Sequence, residues 1–320
     1  MYDQGKGYMK KILIVGGAGY VGGYLTDVLA DGYDVTVYDN LTYEPKFMKN
    51  VNFVCGDIRD RESMSKDFVN KFDTVVWLAA IVGDGACHIN PQLTEEINET
   101  SVKWLVDNYT GKIIFTSTCS VYGHQKDIIN EESEVKPLSV YAGTKYNAES
   151  YIRKHAKDYV VYRLGTLFGI GDLYSRIRLD LVVNLLAMKA AYSENLSVYG
   201  GEQYRPVLHV KDVADATLFA IENDLEGLFN LSYRNVTIRG IAEIIQSVVP
   251  DVQIDYQQEK FEDLRDYRVD TGRIGALGFK PTRTIELGVK EIYKVFCEHR
   301  IKNRNDPVYS NQNYWSRNNG

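Results

Sequence analysis

Only four cysteines occur in 320 residues, Cys55, Cys87, Cys119 and Cys297, and none stands in a Cys-x-x-Cys pair. Their spacing predicts reduced thiols rather than a disulfide framework. Adjacent Cys87 and His88 make no metal site either, because neighbouring residues seldom chelate together and no second cluster follows. Long apolar runs are missing as well: the longest lies at about 74–82, far short of the roughly 20 residues that span a bilayer. No signal-peptide pattern precedes the first cysteine. There is no basic surplus, since 37 lysines and arginines face 43 acids for a net charge of -6. The cations are scattered among acids and form no stripe with interleaved aromatics, which argues against a nucleic-acid surface. The expectation is a soluble, cytoplasmic protein with no metal, no membrane contact and no nucleic-acid partner.

What is present is ordinary in bulk, with 44% hydrophobic and 25% charged residues, and the length suits one large or two modest domains. The informative stretch is local. Residues 11–22 read Lys-Ile-Leu-Ile-Val-Gly-Gly-Ala-Gly-Tyr-Val-Gly, a β-branched run that turns into Gly16-x-x-Gly19-x-x-Gly22. Gly16 permits a tight turn, Gly19 lets backbone approach a pyrophosphate, and Gly22 lets a helix pack on the strand with its N–H groups toward the anion. A second apolar run at 34–38 ends in Asp39-Asn40, about 20 residues past the glycines, where a carboxylate can accept from both ribose hydroxyls. A 2′-phosphate there would call for an arginine, and none stands directly beside Asp39. The cofactor predicted is NAD.

Apolar runs at 11–15, 34–38, 51–54, 74–80, 112–116 and 159–164 alternate with stretches of helical period at 21–30, 94–109 and 144–157. That rhythm predicts an α/β fold with a doubly wound parallel sheet. After Gly169 it changes to a mixed segment with helices over 180–192, 210–223 and 238–249. The division predicted is a Rossmann domain at 1–167 with a return segment at 206–232, a smaller substrate-binding lobe at 168–301, and a polar tail at 302–320. Residues 1–8 read as a loose arm. The tail has few aliphatics and is expected to be disordered or to depend on a partner.

Tyr141 and Lys145 stand four apart at the start of a helical segment, hence on one face. A nearby ammonium favours the phenolate, which could then take a proton from a sugar hydroxyl. Several other Tyr/Lys pairs share this interval among 24 tyrosines. Tyr141 is singled out because it follows the run at 112–116, whose end carries the hydroxyl-rich Thr116-Ser117-Thr118-Cys119-Ser120-Val121-Tyr122-Gly123.

With these pieces in hand, the chain from residue 9 to about 300 resembles the extended short-chain dehydrogenases of the NAD-dependent epimerase/dehydratase family, nucleotide-sugar enzymes similar to UDP-glucose 4-epimerase. The matching segments are Gly16 to Gly22, Asp39-Asn40-Leu41, Gly56-Asp57-Ile58-Arg59, Leu78-Ala79-Ala80, Thr118 through Gly123, Tyr141-x-x-x-Lys145, Arg163 through Gly169, and Arg205 through Asp212. The resemblance implies that Thr118, Tyr141 and Lys145 are catalytic. It implies that Gly16, Gly19, Tyr20, Val21 and Gly22 line the cofactor's pyrophosphate and that Asp39 and Asn40 take its ribose. Asp57 and Ile58 would hold the adenine, with Ala79, Ala80 and Leu164 beside the cofactor and Lys145 on the nicotinamide ribose. For the substrate it implies Thr118, Thr166, Arg178, Asn184, Val198, Tyr199, Arg205 and Arg265. A homodimer through segments such as 94–109 and 140–157 would be usual.

Departures bear on the reaction. Family dehydratases carry an acid pair where Cys119 and Ser120 stand, which disfavours dehydration, and the cysteine role of the GDP-fucose-type enzymes does not transfer, because Cys119 lies three before Tyr122 rather than two. Thr166 replaces a common asparagine. The segments 80–87 and 176–184 are similar to a bacterial subset that includes oxidases of GDP-heptose. The leading expectation is oxidation of a nucleotide-linked sugar at C4 followed by epimerisation. Net dehydrogenation with release of a keto sugar is the alternative, and a non-catalytic NAD-binding regulator the rival from another class.

Overall fold

Alternation along the first strand establishes the architecture: Ile12 and Ile14 enter one buried cluster while Leu13 and Val15 enter another, as successive side chains of a strand covered on both faces must. The computed structural model describes residues 8–257 and 266–318. Seven strands form the main sheet: β1 Lys11–Val15, β2 Asp34–Asp39, β3 Asn52–Cys55, β4 Thr74–Trp77, β5 Lys112–Thr118, β6 Tyr159–Leu164 and β7 Gly227–Leu231. They lie in the order β7-β6-β5-β4-β1-β2-β3, and every pairing is parallel. The chain runs outward from β1 to β3 and then crosses back to β4 on the other side, so the crevice outside β1 and β4 is the topological switch point where such sheets take ligands.

A smaller lobe contains a three-stranded sheet of Thr166–Phe168, Tyr204–His209 and Arg234–Thr237. Its core joins Phe168 to Val183, Leu186, Ile241 and Ile245 from two helices and to Ile285 and Val289 from a third. Among the described residues no helix is long and apolar enough to cross a membrane. The helical segment predicted at 94–109 is broken by a π-turn at Glu96–Thr100 between Pro91–Glu95 and Ser101–Asn108.

Two expectations about the ends need comment. The arm predicted at 1–8 falls largely on residues 1–7, outside the described residues, while the Tyr8 hydroxyl donates to Asp73 at 2.9 Å. The tail expectation is corrected. Residues Pro307–Tyr309 and Asn311–Asn318 are helical, because Asn311, Tyr314 and Trp315 find hydrogen-bond partners on the body of the protein rather than an aliphatic core of their own.

The Val140–His155 helix is fixed to the sheet by a buried ion pair. Ser139 caps its start, accepting from Ala142 N at 3.2 Å. Glu149, two turns beyond Tyr141 on the same face, receives both the Arg163 guanidinium of β6 and the Ser117 hydroxyl of β5, the latter at 2.5 Å. Neither partner of the pair reaches solvent, so the two charges survive only together. We expect Arg163→Met, which strands the carboxylate, to lower stability by about 3–5 kcal/mol, read as a fall in the urea midpoint. The double variant Arg163→Met/Glu149→Met should recover most of that loss.

Candidate active site

The carboxyl ends of β1 to β6 open onto one cleft of about 630 Å³. Its floor is the glycine turn. Gly16 has φ +83°, and a Cβ there would stand 2.5 Å from Ala79 N, so only glycine permits the turn to lie this close to the end of β4. Gly22 is equally constrained, since its Cβ would meet Gly17 Cα at 2.5 Å. The Gly22–Ala30 helix begins with no side-chain cap and no acid in its first turn, leaving N–H groups and the positive end of the dipole directed at the cleft. These are the requirements of a pyrophosphate cradle.

Asp39 ends β2 with its carboxylate half-solvated by the loop: it accepts from Ala18 N at 3.0 Å and Leu41 N at 2.8 Å. Burial raises its pKa and these two bonds oppose the rise. Two N–H bonds leave the carboxylate further acceptor capacity for a diol. Asn40, Asp57, Ile58, Ala79, Ala80 and Leu164 line the same cleft, as do Gly19, Val21 and Tyr20. The Tyr20 hydroxyl is already used: it donates to Gly169 O at 2.6 Å and accepts from Asn184 Nδ2 at 3.2 Å, tying the glycine loop to the lobe. The geometry of this half of the cleft fits a dinucleotide with a free ribose diol.

At the other half Thr118, Tyr141 and Lys145 converge. Thr118 Oγ1 accepts from Ser120 N at 3.1 Å, which orients it in the same cleft as the Tyr141 phenol. Lys145 Nζ lies 4.0 Å from the centroid of Phe115 on β5. The electrostatics differ from expectation. Burial pushes Tyr141 above its ordinary value, with Cys87 adding to the rise while Thr118 and the Arg178 guanidinium oppose it. The same burial lowers Lys145 to about 7, against the opposing pull of Glu149. Desolvation thus acts on both groups, disfavouring the phenolate and the ammonium alike and so opposing the help expected of a nearby ammonium.

Not every predicted substrate residue reaches the cleft. Thr166 and Arg178 line it. Asn184 is fully buried and bonded to Gly169 N, Arg178 O and Tyr20, so it shapes the wall from behind. Val198 sits in the lobe core. Neither Tyr199 nor Arg205 lines the cleft, and the Arg205 guanidinium donates to Tyr204 O at 2.8 Å. Arg265 lies outside the described residues. Cys119 is buried against Arg163 O and faces away from the chemistry.

Sequence reasoning missed several contributors. Asn98, inside the π-turn, clamps Ile81 by accepting from its N–H and donating to its carbonyl, both at 2.8 Å. A polar residue at a buried phase of the helical pattern was the available signal. Tyr43, Glu44, Arg176 and Trp315 also line the cleft, and nothing in their local spacing marks them.

The profile of the NAD dependent epimerase/dehydratase family matches residues 12–232. Among solved structures, the chain is similar to UDP-glucose 4-epimerase of Thermotoga maritima with UDP-glucose, at 25% identity and TM-score 0.77, covering 91% of this chain and 100% of that one. A UDP-N-acetylglucosamine 4-epimerase of Methanobrevibacter ruminantium, in complex with UDP-N-acetylmuramic acid, gives 25% identity and TM-score 0.77 over 91% of this chain and 99% of its own. UDP-glucuronic acid decarboxylase 1 of Danio rerio is 27% identical over 93% of this chain and 76% of its own length.

Between about pH 7 and the ordinary lysine value of 10.5, the unfolded chain holds a proton on residue 145 that the folded protein has released. The contribution of Lys145 to stability therefore rises with pH across that window. Urea midpoints measured at pH 7 and pH 9 should show this rise, and Lys145→Met should lack that component.

Proposed function

From the premise that the chain belongs to the NAD dependent epimerase/dehydratase family, we propose that it is a nucleotide-sugar enzyme that oxidises the C4 hydroxyl of its sugar with NAD, its net reaction being 4-epimerisation. The observation that carries this reading is the convergence of Thr118, Tyr141 and Lys145 in the cleft that also holds the glycine cradle and Asp39. Two similar structures are of UDP-sugar 4-epimerases.

NAD, when bound, supplies the hydride acceptor. The Gly16–Gly22 turn would hold its pyrophosphate and Asp39 its ribose diol, with Asp57 and Ile58 at the adenine, Ala79, Ala80 and Leu164 alongside, and Lys145 at the nicotinamide ribose. Tyr141, in its phenolate form, takes the proton of the sugar hydroxyl to become the phenol and returns that proton at reduction, while Thr118 holds the same oxygen. Arg178 adds a positive charge that eases ionisation of Tyr141 and, with Thr166, contacts the substrate. Asn184 acts through Arg178, whose carbonyl it holds at 2.8 Å. The lack of a membrane-crossing helix among the described residues and the unpaired cysteines support a cytoplasmic protein. A homodimer is the family's usual assembly and belongs to the same reading.

The likeness of segments 80–87 and 176–184 to a bacterial subset that includes oxidases of GDP-heptose favours the second reading, in which the keto sugar is released, while Thr166, in the position where the resemblance expects asparagine, bears on the pose of the substrate. A panel of nucleotide sugars, with coenzyme absorbance and sugar products followed together, separates the two. An inverted sugar without net reduction supports epimerisation, whereas stoichiometric reduction with a keto sugar replaces it by net oxidation. With the sugar that turns over, Tyr141→Phe should lower kcat by about a hundredfold or more. Unaltered turnover in that variant would return the protein to the class of non-catalytic NAD-binding regulators or to a different base.

A further inference from the structure

Residues 307–318 lie against the mouth of the cleft and hold three of its loops at once. The Tyr314 hydroxyl donates to Thr42 O, and Trp315 Nε1 donates to the Tyr43 hydroxyl at 2.6 Å. Asn311 Nδ2 donates to Val82 O at 2.7 Å. From the lobe, Arg176 Nη1 donates to Val308 O at 2.6 Å and its other terminal nitrogen to Asn311 Oδ1, while Leu179 N donates to Tyr309 O at 2.8 Å. A helix that merely decorated the surface would not use its buried polar groups in this way.

Asn311 is the hub of these contacts. It is 2% exposed, and its amide nitrogen, carboxamide oxygen and carboxamide nitrogen are all engaged. Its backbone N–H holds Asp180 Oδ2 at 3.0 Å, and that carboxylate in turn takes Nε and Nη2 of Arg178, each at 3.0 Å. Two of the three guanidinium nitrogens are thereby fixed in a fork. The third, Nη1, is left by this fork for an acceptor in the cleft that Arg178 lines. Arg176 lies 3.7 Å over the Tyr43 ring, which keeps a second guanidinium beside the first.

Trp315 reaches further in. It packs on the apolar cluster of Ile81, Ala86 and Cys87, against which Tyr141 also packs, and it lines the cleft. The indole and the Tyr141 phenol thus belong to one wall of the cleft. The indole's electron-rich face suits the weakly positive C–H groups of a pyranose.

We propose that the 307–318 segment completes the substrate site: Trp315 is a specificity-determining wall for the sugar, and Asn311 is a positioning residue that holds Arg178 toward the oxygens of the sugar and its adjoining phosphate. This rests on the nucleotide-sugar reading above. The ligand class is a nucleoside-diphosphate sugar whose hexose or heptose offers a C–H face.

The test uses the full chain and the nucleotide sugar that the panel identifies. Trp315→Leu keeps bulk without the aromatic face, and it should raise KM by about threefold to tenfold, the range of an aromatic contact. Trp315→Phe should restore most of the loss. Affinities for NAD and for the free nucleoside diphosphate, measured by calorimetry, should stay as in the unaltered protein. Asn311→Ala keeps the backbone N–H but removes the side-chain bonds to Val82 O and from Arg176 that seat it against Asp180, and by letting the Asp180–Arg178 pair shift it should weaken both the nucleotide sugar and the free diphosphate by about tenfold or more, again without moving NAD. Asn313→Ala, on the exposed side of the same helix, is the control and should change neither. An unchanged KM in Trp315→Leu overturns the inference while leaving the nucleotide-sugar reading intact, as does an equal loss for NAD and sugar. Failure of the unaltered protein to turn over any nucleotide sugar overturns both.

Discussion

The buried carboxylate of Glu149 is the point on which the site depends. It gathers Ser117 from β5 and Arg163 from β6 onto the helix that carries Tyr141 and Lys145. Each neighbour in sequence is a lining residue: Thr118 follows Ser117, and Leu164 follows Arg163. One ion pair in a dry interior thus fixes the distance between a helix face and two strand ends. Arg163 is held in turn by the Tyr122 ring, 4.7 Å from its guanidinium, and Tyr122 reaches β7 through Asn230 at 2.7 Å. A hydrophobic contact would hold these elements together without specifying their rotation, whereas a fork of directed bonds does both.

Dryness also governs the reactive groups. The same burial that makes the Glu149 pair inseparable raises Tyr141 and lowers Lys145, disfavouring the charged form of both groups. Arg178 is different, because Asp180 travels with it and compensates its charge. The site therefore has arginine cations, of which Arg178 carries its own counterion, and one amine whose charge burial disfavours. This division suits a reaction in which a proton leaves and later returns.

The parallel sheet was legible because its strands are short, β-branched and separated by helical stretches, and the glycine turn because only glycine survives Cβ distances of 2.5 Å at Gly16 and Gly22. Thr118, Tyr141 and Lys145 were read from a strand end, a helix interval and a family resemblance, and the structure brings all three to one cleft. Asn184, Val198, Tyr199 and Arg205 carried the same resemblance and are not among the residues that line the cleft.

Local chemistry accounts for what the sequence determined alone: strand and helix periods, a glycine cradle, an acid at the end of β2, and a tyrosine and lysine sharing a helix face all follow from residues within a few positions of each other. The tertiary structure alone decided the direction in which Tyr141 and Lys145 shift, since desolvation is a property of the enclosing volume and not of the spacing. It also decided how 302–318 is arranged. Composition predicts that such a polar segment cannot bury a core, and it does not. Asn311, Tyr314 and Trp315 instead bond to residues more than a hundred positions away, contacts that no window of sequence contains.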